Sequence, residues 1–516
     1  MLSPNIRRVL ESLDAFKEGD IYAEDGEPFI SINKLTGKAG VFYEKLRYLV
    51  DYKEEHTIRR SAIERILKRK LLIKINEGIG LSLLQELVGS GYLPNKKVSE
   101  GIAGNIQMVI NKYLLLGALA KIENSRIISL MASEIEIFLF PQRINNLIVD
   151  CFYQTVSGNI KYGGAASQDD LQIQIYIGCR RSLLEDDRET LLYAVLAKHI
   201  PELPMASTEE EIRGVASIFA QSMSATNKEI RDPLGWTMTS KLRNHSVYFS
   251  AIKEIIKKYG TASEEIFANQ SRLEEEARNI LSEKYRQQYN IVSKSGTRAI
   301  IYVFLTKIVL AFMLELPYEK FILSSVDYFA LGINIIFHPV LLFAIVKTIL
   351  PPSPNNTMSI ISGIRAITHN ENIKLVHIKP PISNVFHKTI FGILYLMLFA
   401  VSFGLILWTL KLLNFNIISM ALFLFFLTIV SYFGFRIRYN AKKWMVSTED
   451  EGAIILLWSF FTIPIIRTGR WLSSRFSSVN IFVFIMDFIL ETPFKFVLET
   501  FDSFISFLKE KKEDSY

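Results

Sequence analysis

Cysteine is scarce in this chain: Cys151 and Cys179 are the only two among 516 residues. They form no CxxC, so a disulfide framework, a zinc ribbon and a thioredoxin-type redox motif are all excluded, and two free thiols suit a reducing cytoplasm. With 16 Pro and 26 Gly the chain is neither collagenous nor of low complexity, and its wealth of Leu, Ile, Val and Phe excludes wholesale disorder. Phosphate-binding glycine loops are missing too. The GKA at 37–39 lacks the upstream glycine and the following Ser or Thr of a Walker loop, and the GIG at 78–80 follows no strand. Neither HExxH nor GxSxG occurs, so no catalytic motif, metal site or cofactor is expected. The first twenty residues hold no apolar core of signal-peptide length and no small-residue cleavage site, which leaves the N-terminus in the cytoplasm by expectation.

Apolar residues are abundant instead, at 49%, with a mean hydropathy of +0.22 and a net charge of +7. Both numbers are averages of two unlike halves. Residues 1–296 carry 39 Lys and Arg against 38 Asp and Glu, whereas 297–516 carry 20 against 14. The excess basicity belongs to the apolar half, where it orients a membrane protein better than it marks a nucleic-acid footprint; no nucleic-acid partner is expected.

Up to about residue 290 the apolar positions recur three and four apart between charged faces, which predicts helices near 3–18, 40–76, 79–90, 97–120, 124–156, 168–200, 207–228, 236–259 and 262–291. Turn chemistry separates them at GSGYLPN, YGG, PELP and RDPLG. Ser207 and Ser263 read as N-caps ahead of acidic first turns. DLQIQIYIG at 170–178 alternates like a strand but runs straight into a helical pattern, and helix is favoured. IYAEDGEPFISINK, 21–34, reads as a short hairpin about an Asp-Gly. The stretch from Ser263 to Val292 is an amphipathic stalk with Ile266, Leu273, Ala277, Ile280, Leu281, Tyr285 and Tyr289 on one side, suited to packing on the domain or to a coiled coil.

Four runs, 299–317, 321–350, 389–413 and 415–435, are each long enough to cross roughly 30 Å of hydrocarbon at about 1.5 Å per residue. Lys284, Arg286, Lys294 and Arg298 precede the first. Arg365, Lys374, Lys379 and Lys388 fill the long link between the second and third, and Arg436, Arg438, Lys442 and Lys443 follow the fourth. The two short links hold one lysine each, Lys320 and Lys411. Positive residues are retained on the cytoplasmic side, so both termini and the long link are expected there, in a multi-pass protein of the cell inner membrane. The apolar run 453–466, broken by Pro464, is short for a span, and 480–508 shows a polar stripe typical of an interfacial helix; an additional inserted hairpin is the alternative.

The expected architecture is therefore mainly α. A helical cytoplasmic domain occupies 1–261, a stalk 262–296, a four-span membrane domain 297–437, and amphipathic helices of the cytoplasmic face with a polar tail 438–516.

Ionisable groups inside spans are the best functional pointers in such a chain, because each costs several kcal/mol in hydrocarbon unless paired or wet. Lys307, Glu315, Asp327 and Asn334 form a candidate polar seam, with His338-Pro339 as a kink, that could line a proton or ion path. The plainer reading is that Lys307 snorkels, Glu315 and Asp327 sit at the outer interface, and Asn334 joins two helices. A second candidate is TIRRSAIERILKRK, 57–70: Arg59, Arg60, Arg65, Lys68, Arg69 and Lys70 on one helix could meet anionic lipid headgroups, or be a solvated face neutralised by Glu54, Glu55 and Glu64. His369, His377 and His387 of the long link have no metal-ligand spacing.

The stretch FYEKLRYLVDYKEEHTIRRSAIERILKRK resembles an uncharacterised family of integral membrane proteins from ultra-small, reduced-genome bacteria. DLQIQIYIGCRRSLLEDDRETLLYAVL and the first span with its ELPYE end are also similar. The resemblance covers about half of the chain. It implies a helical cytoplasmic region fused to a membrane region, and no activity. The role expected is a membrane-anchored scaffold or assembly protein with the bilayer and a protein partner, or a second copy, as partners; the alternative is a transporter or channel component.

Overall fold

The computed structural model describes residues 2–14, 28–32, 41, 44, 54–72, 78–164, 166–369, 376–379, 385–446 and 453–478. These residues are mainly α-helical, as expected, and fall into two compact units. The first lies within Met1–Glu276 and Ser362–Pro381, the second within Ala277–Ile361 and Ile382–Val497.

The first unit holds α1 (Pro4–Asp14), α2 (Glu55–Leu72), α3 (Ile79–Gly89), α4 (Ile102–Ala120), α5 (Asn124–Leu139), α6 (Arg143–Ser157), β1 (Ile160–Tyr162), α7 (Gln168–Leu183), α8 (Arg188–His199), α9 (Glu209–Arg231), α10 (Pro233–Tyr259) and α11 (Ser263–Ala268). Its centre is α5, buried from Ile127 through Glu136 and packed between α2, α4 and α8. DLQIQIYIG is helical, within α7. Its alternation loses to a strong start signal: the Ser167 hydroxyl accepts from the Asp170 amide, and Asp169 and Asp170 occupy the positive first turn. The cap of α9 falls one residue later than expected, at Thr208, which forms a capping box with Glu211. Ser263 is not a cap; it starts α11, and its hydroxyl turns back to the Ile255 carbonyl. Helix α7 packs closely on α10 at Gly178, where a Cβ would come within 2.8 Å of Met238 Cβ. Of the expected hairpin, residues 21–27, 33 and 34 lie outside the described residues. Residues 28–32 bond instead to the 95–100 turn, with Phe29 bridged to Ser99.

The long link brings a feature the sequence pattern did not suggest. Helix α15 (Pro354–His369) and β2 (Val376–Ile378) lie in it, and β2 pairs in parallel with β1, Ile160 against Val376 and Tyr162 against Ile378. The Ser3 amide donates to the Thr368 carbonyl at 2.7 Å, and Gly363 lies against the ring of Tyr248. Residues 362–381 thus complete the N-terminal unit.

The expected stalk is interrupted at Asn269, which caps a new helix, α12 (Gln270–Leu310). Helix α12 runs on through a π-turn at Ala311–Glu315 and α13 (Leu316–Phe321) as one continuous rod, charged in its first half and apolar in its second. The stalk stripe is satisfied within the chain, since Ile266, Leu273, Ala277, Ile280 and Leu281 are buried, although Tyr289 is 51% exposed. The second unit continues with α14 (Tyr328–Lys347), α16 (Val385–Leu412), α17 (Ile417–Ala441) and α18 (Ala453–Ser478). Ala330, Leu410, Phe415, Phe423 and Leu427 form one core cluster, and Val303, Leu342 and Val430 another. Helix α18 extends beyond the expected run 453–466 and packs on α16 and α17. Gly469 meets the Thr428 carbonyl directly, and the Phe461 carbonyl accepts from Ser402 at 3.1 Å. Arg467, six residues on, covers Tyr395, seven residues back, so α18 runs antiparallel to α16 along its middle and not across its end. The stretch 480–508 lies outside the described residues.

Among the described residues, five helices are long and apolar enough to cross a membrane: Ile102–Ala120, Gln270–Phe321, Tyr328–Lys347, Thr389–Leu412 and Ile417–Ala441. Four match the expected spans. The fifth, α4, belongs to the N-terminal unit, where α3, α5 and α9 cover it and its Lys112 is buried on Glu134.

Candidate functional site

Pro317 has no amide hydrogen to offer the Met313 carbonyl, and its ring crowds that turn. The helix answers with a π-turn, in which the Leu316 amide reaches back five residues to Ala311. The consequence is rotational. In a regular α-helix Lys307 and Glu315, eight residues apart, differ by about 800°, some 80° off a common face. Absorbing one extra residue makes the step equivalent to about seven, near 700°, which returns both side chains to one face.

Asn334 of α14 stands opposite both. Lys307 Nζ donates to Asn334 Oδ1 at 2.6 Å, and Asn334 Nδ2 donates to Glu315 Oε1 at 2.5 Å. The amide orientation is self-consistent, because an ammonium can only donate and a carboxylate can accept. All three are sealed from solvent, with Lys307 1%, Glu315 2% and Asn334 0% exposed. Lys307 Nζ also lies 4.4 Å from the ring centre of Phe426 on α17, an added cation–π contact. Lys307 therefore does not snorkel.

Two more polar side chains and one backbone carbonyl join this group. Glu319, 2% exposed, accepts from Asn416 Nδ2 at 2.6 Å and from the Asp327 amide at 3.2 Å. His338 sets Nδ1 against the Asn334 carbonyl at 3.2 Å and Nε2 against the Phe423 carbonyl at 3.0 Å, tying α14 to α17. Ser419 of α17 offers its carbonyl 3.5 Å from Asn334 Nδ2. Asp327 stands apart from the seam: half-buried, it caps α14 by accepting from the Phe329 and Ala330 amides, both at 3.0 Å. The sequence reading missed Glu319 because it placed 318–320 in a link; the signal was the i, i+4 spacing of Glu315 and Glu319.

The basic helix α2 faces its own domain. Arg59 pairs with Glu136 at 2.9 Å, Arg60 with Asp187 and Glu64, both at 2.6 Å, Arg65 with Glu44 at 2.8 Å and Lys68 with Glu64 at 2.7 Å. Arg69 pairs with Glu86, and Lys70 is half-buried. These charges join α2 to α3, α5 and the turn before α8.

Two further buried charge groups sit close by. Asp186 accepts from Arg180 Nε at 2.5 Å and lies 3.3 Å from His56. Burial opposes its ionisation, yet Arg180 and His56 hold its carboxyl below the usual range. Glu134 takes Lys112, Tyr113 and Tyr193 together; burial pushes its carboxyl up against the pull of Lys112. Burial also raises the Cys151 thiol to about 12 and pushes the Cys179 thiol well above its ordinary range, which keeps both thiols unreactive. His369 bonds Thr368, His377 lies in β2 and His387 opens α16. No group of three His, Cys, Asp or Glu suited to a metal occurs among the described residues.

Compared with family models, curated proteins and solved structures, the chain matches none of them. What it does is therefore argued from its own residues.

Proposed function

We propose that this protein is a membrane-anchored scaffold or interaction protein, multi-pass in the cell inner membrane, that presents its helical unit to the cytoplasm with both termini on that side. One observation carries the reading. The chain leaves the N-terminal unit through α12, returns to it at 362–381 to pair β2 with β1, and leaves again at 382. A domain that needs a piece of the inter-span link for its own completion is joined to the membrane helices at three chain crossings among the described residues, which suits a platform held at the bilayer. The distribution of Lys and Arg supports the orientation. Because the stalk stripe is covered within the chain, a protein partner or second copy would meet the surface of the helical unit. The kinship proposed with membrane proteins of reduced-genome bacteria agrees with this architecture.

The test is affinity capture of the full chain in mild detergent. Ile378→Asp, which puts a charge at a 2% exposed strand position, should abolish co-purification of partners, and Lys307→Leu should not. Partners retained by the first variant and lost by the second would sink the scaffold reading.

A transporter or channel component is the second reading, favoured by the buried Lys307–Asn334–Glu315 chain at span depth. Proton or cation flux in proteoliposomes, abolished by Lys307→Leu, would support it; full flux in that variant would not.

A further inference from the structure

Within the intramembrane cluster the hydrogen-bond inventory does not close. Asn334 donates to Glu315 Oε1, but the second oxygen, Oε2, is buried and meets no donor among the described residues; the hydroxyl of Ser419, whose carbonyl faces Asn334, is buried and equally unmatched. An ionised carboxylate with a bare oxygen in an apolar interior is unfavourable by several kcal/mol. A carboxyl group carrying its proton on that oxygen has neither the charge nor the unmatched acceptor.

Charge balance points the same way. Two carboxyl groups, Glu315 and Glu319, share this interior with one ammonium, Lys307. Glu319 has donors on both oxygens, Asn416 Nδ2 on Oε1 and the Asp327 amide on Oε2, so it is the one equipped to stay ionised. Among the described residues, the groups around Glu315 come from three elements. Its own rod supplies Lys307 and Glu319, α14 supplies Asn334 and His338, and α17 supplies Ser419, whose side chain is neutral. His338 is directed at two backbone carbonyls and not at the carboxyl groups.

We propose that Glu315 is a proton-binding site of the membrane region, taking up and releasing one proton at Oε2 while Asn334, itself held by Lys307, donates to Oε1. The proton comes from hydronium of the aqueous phase and returns to water; one O–H bond forms or breaks, and nothing is oxidised or reduced. The site deepens the transporter reading by naming what would be carried, and it is separable from that reading in experiment.

The test is pH-difference infrared spectroscopy of the full chain in phosphatidylcholine nanodiscs. The wild type should give a protonated-carboxyl C=O band that is lost as pH rises. That band should vanish in Glu315→Gln, whose amide oxygen still accepts from Asn334, and survive in Glu319→Gln. A band unaltered in Glu315→Gln, or no pH-sensitive band in the wild type, overturns the site. Should Glu315→Gln fail to fold, Glu315→Asp serves: its band must move, and an unmoved band overturns the site. Proton flux into phosphatidylcholine vesicles, read with an entrapped pH dye, is recorded in parallel. A Glu315-dependent band with or without flux supports the site, and its occurrence without flux removes only the transporter reading.

Discussion

Lys307 and Glu315 share one face of one helix only because the π-turn before Pro317 absorbs a residue between them. Restoring the missing amide should undo this. In Pro317→Ala the Met313 carbonyl regains its donor, and the rod can return to α-helical register. Glu315 would then turn about 100° away from Asn334. The expected result is loss of the Asn334–Glu315 bond at a cost of about 1–2 kcal/mol, the usual range for an interhelical hydrogen bond in a membrane. Thermal unfolding in detergent checks the cost, and retention of full stability would show that the π-turn contributes nothing to the contact.

Asn334 is the shared partner of two charges, so its removal should be worse than either end suggests. Asn334→Leu leaves Lys307 without its acceptor and Glu315 without its donor, and breaking a buried pair in this way costs about 3–5 kcal/mol. The triple variant Lys307→Met, Asn334→Leu, Glu315→Leu should recover most of that loss, because neither of the groups that Asn334 bonded is left unmatched, while Glu319 keeps its donors from Asn416 and the Asp327 amide. Steric-trapping or denaturant titration of the wild type and both variants gives the recovery directly.

The helical unit should carry a histidine-dependent pH response. Burial opposes the charging of His56, but Asp186, with Glu136 and Glu54, more than offsets this and raises its pKa above 6.5. A group whose folded pKa is raised stabilises fully below its unfolded value and loses that contribution as pH rises through the folded one. His56→Gln should thus be less stable than the wild type at pH 6, by about 1–3 kcal/mol on the scale of a charged hydrogen bond. The gap should close as pH rises above 6.5. Melting curves across that range decide it; a constant gap would mean that packing, not protonation, is at stake.

Gly469 sets how closely α18 can approach α17, since a Cβ there would run into the Thr428 carbonyl. Gly469→Val should push α18 away and break the Ser402 to Phe461 bond. A disulfide between cysteines placed at 402 and 461 should form readily when Gly469 is kept, and at least several-fold more slowly when Gly469→Val is added. Equal rates would mean that α18 does not depend on this contact.

Most helices were legible because their apolar spacing, acidic starts and Gly or Pro stops agreed with one another, as with the Asp-Pro that opens α10 and the capping box of α9. The four long apolar helices of the second unit were equally plain. What escaped has identifiable physical causes. The strands β1 and β2 are three residues each, too short for a periodic signal, and their partners are remote in sequence. Helix α4 reads like a span because covering it with three neighbouring helices takes the same apolar residues as placing it in lipid. The seam residues were found by type, but which of them meet was not. A π-turn shifts the facing of everything after it, so a wheel drawn at a regular spacing of about 100° separates Lys307 from Glu315 and hides the role of Glu319. Asp327, chosen for its depth, instead serves its own helix as a cap.

The parallel pairing of Ile160–Tyr162 with Val376–Ile378 also sets an order of events during synthesis. β1 leaves the ribosome long before β2 exists, and two long apolar helices are made in between. The edge of β1 stays open for that interval, with backbone groups available to any extended chain nearby. The N-terminal unit is therefore begun before the apolar helices α12 to α14 and finished only after them, so its closure records that they have been made.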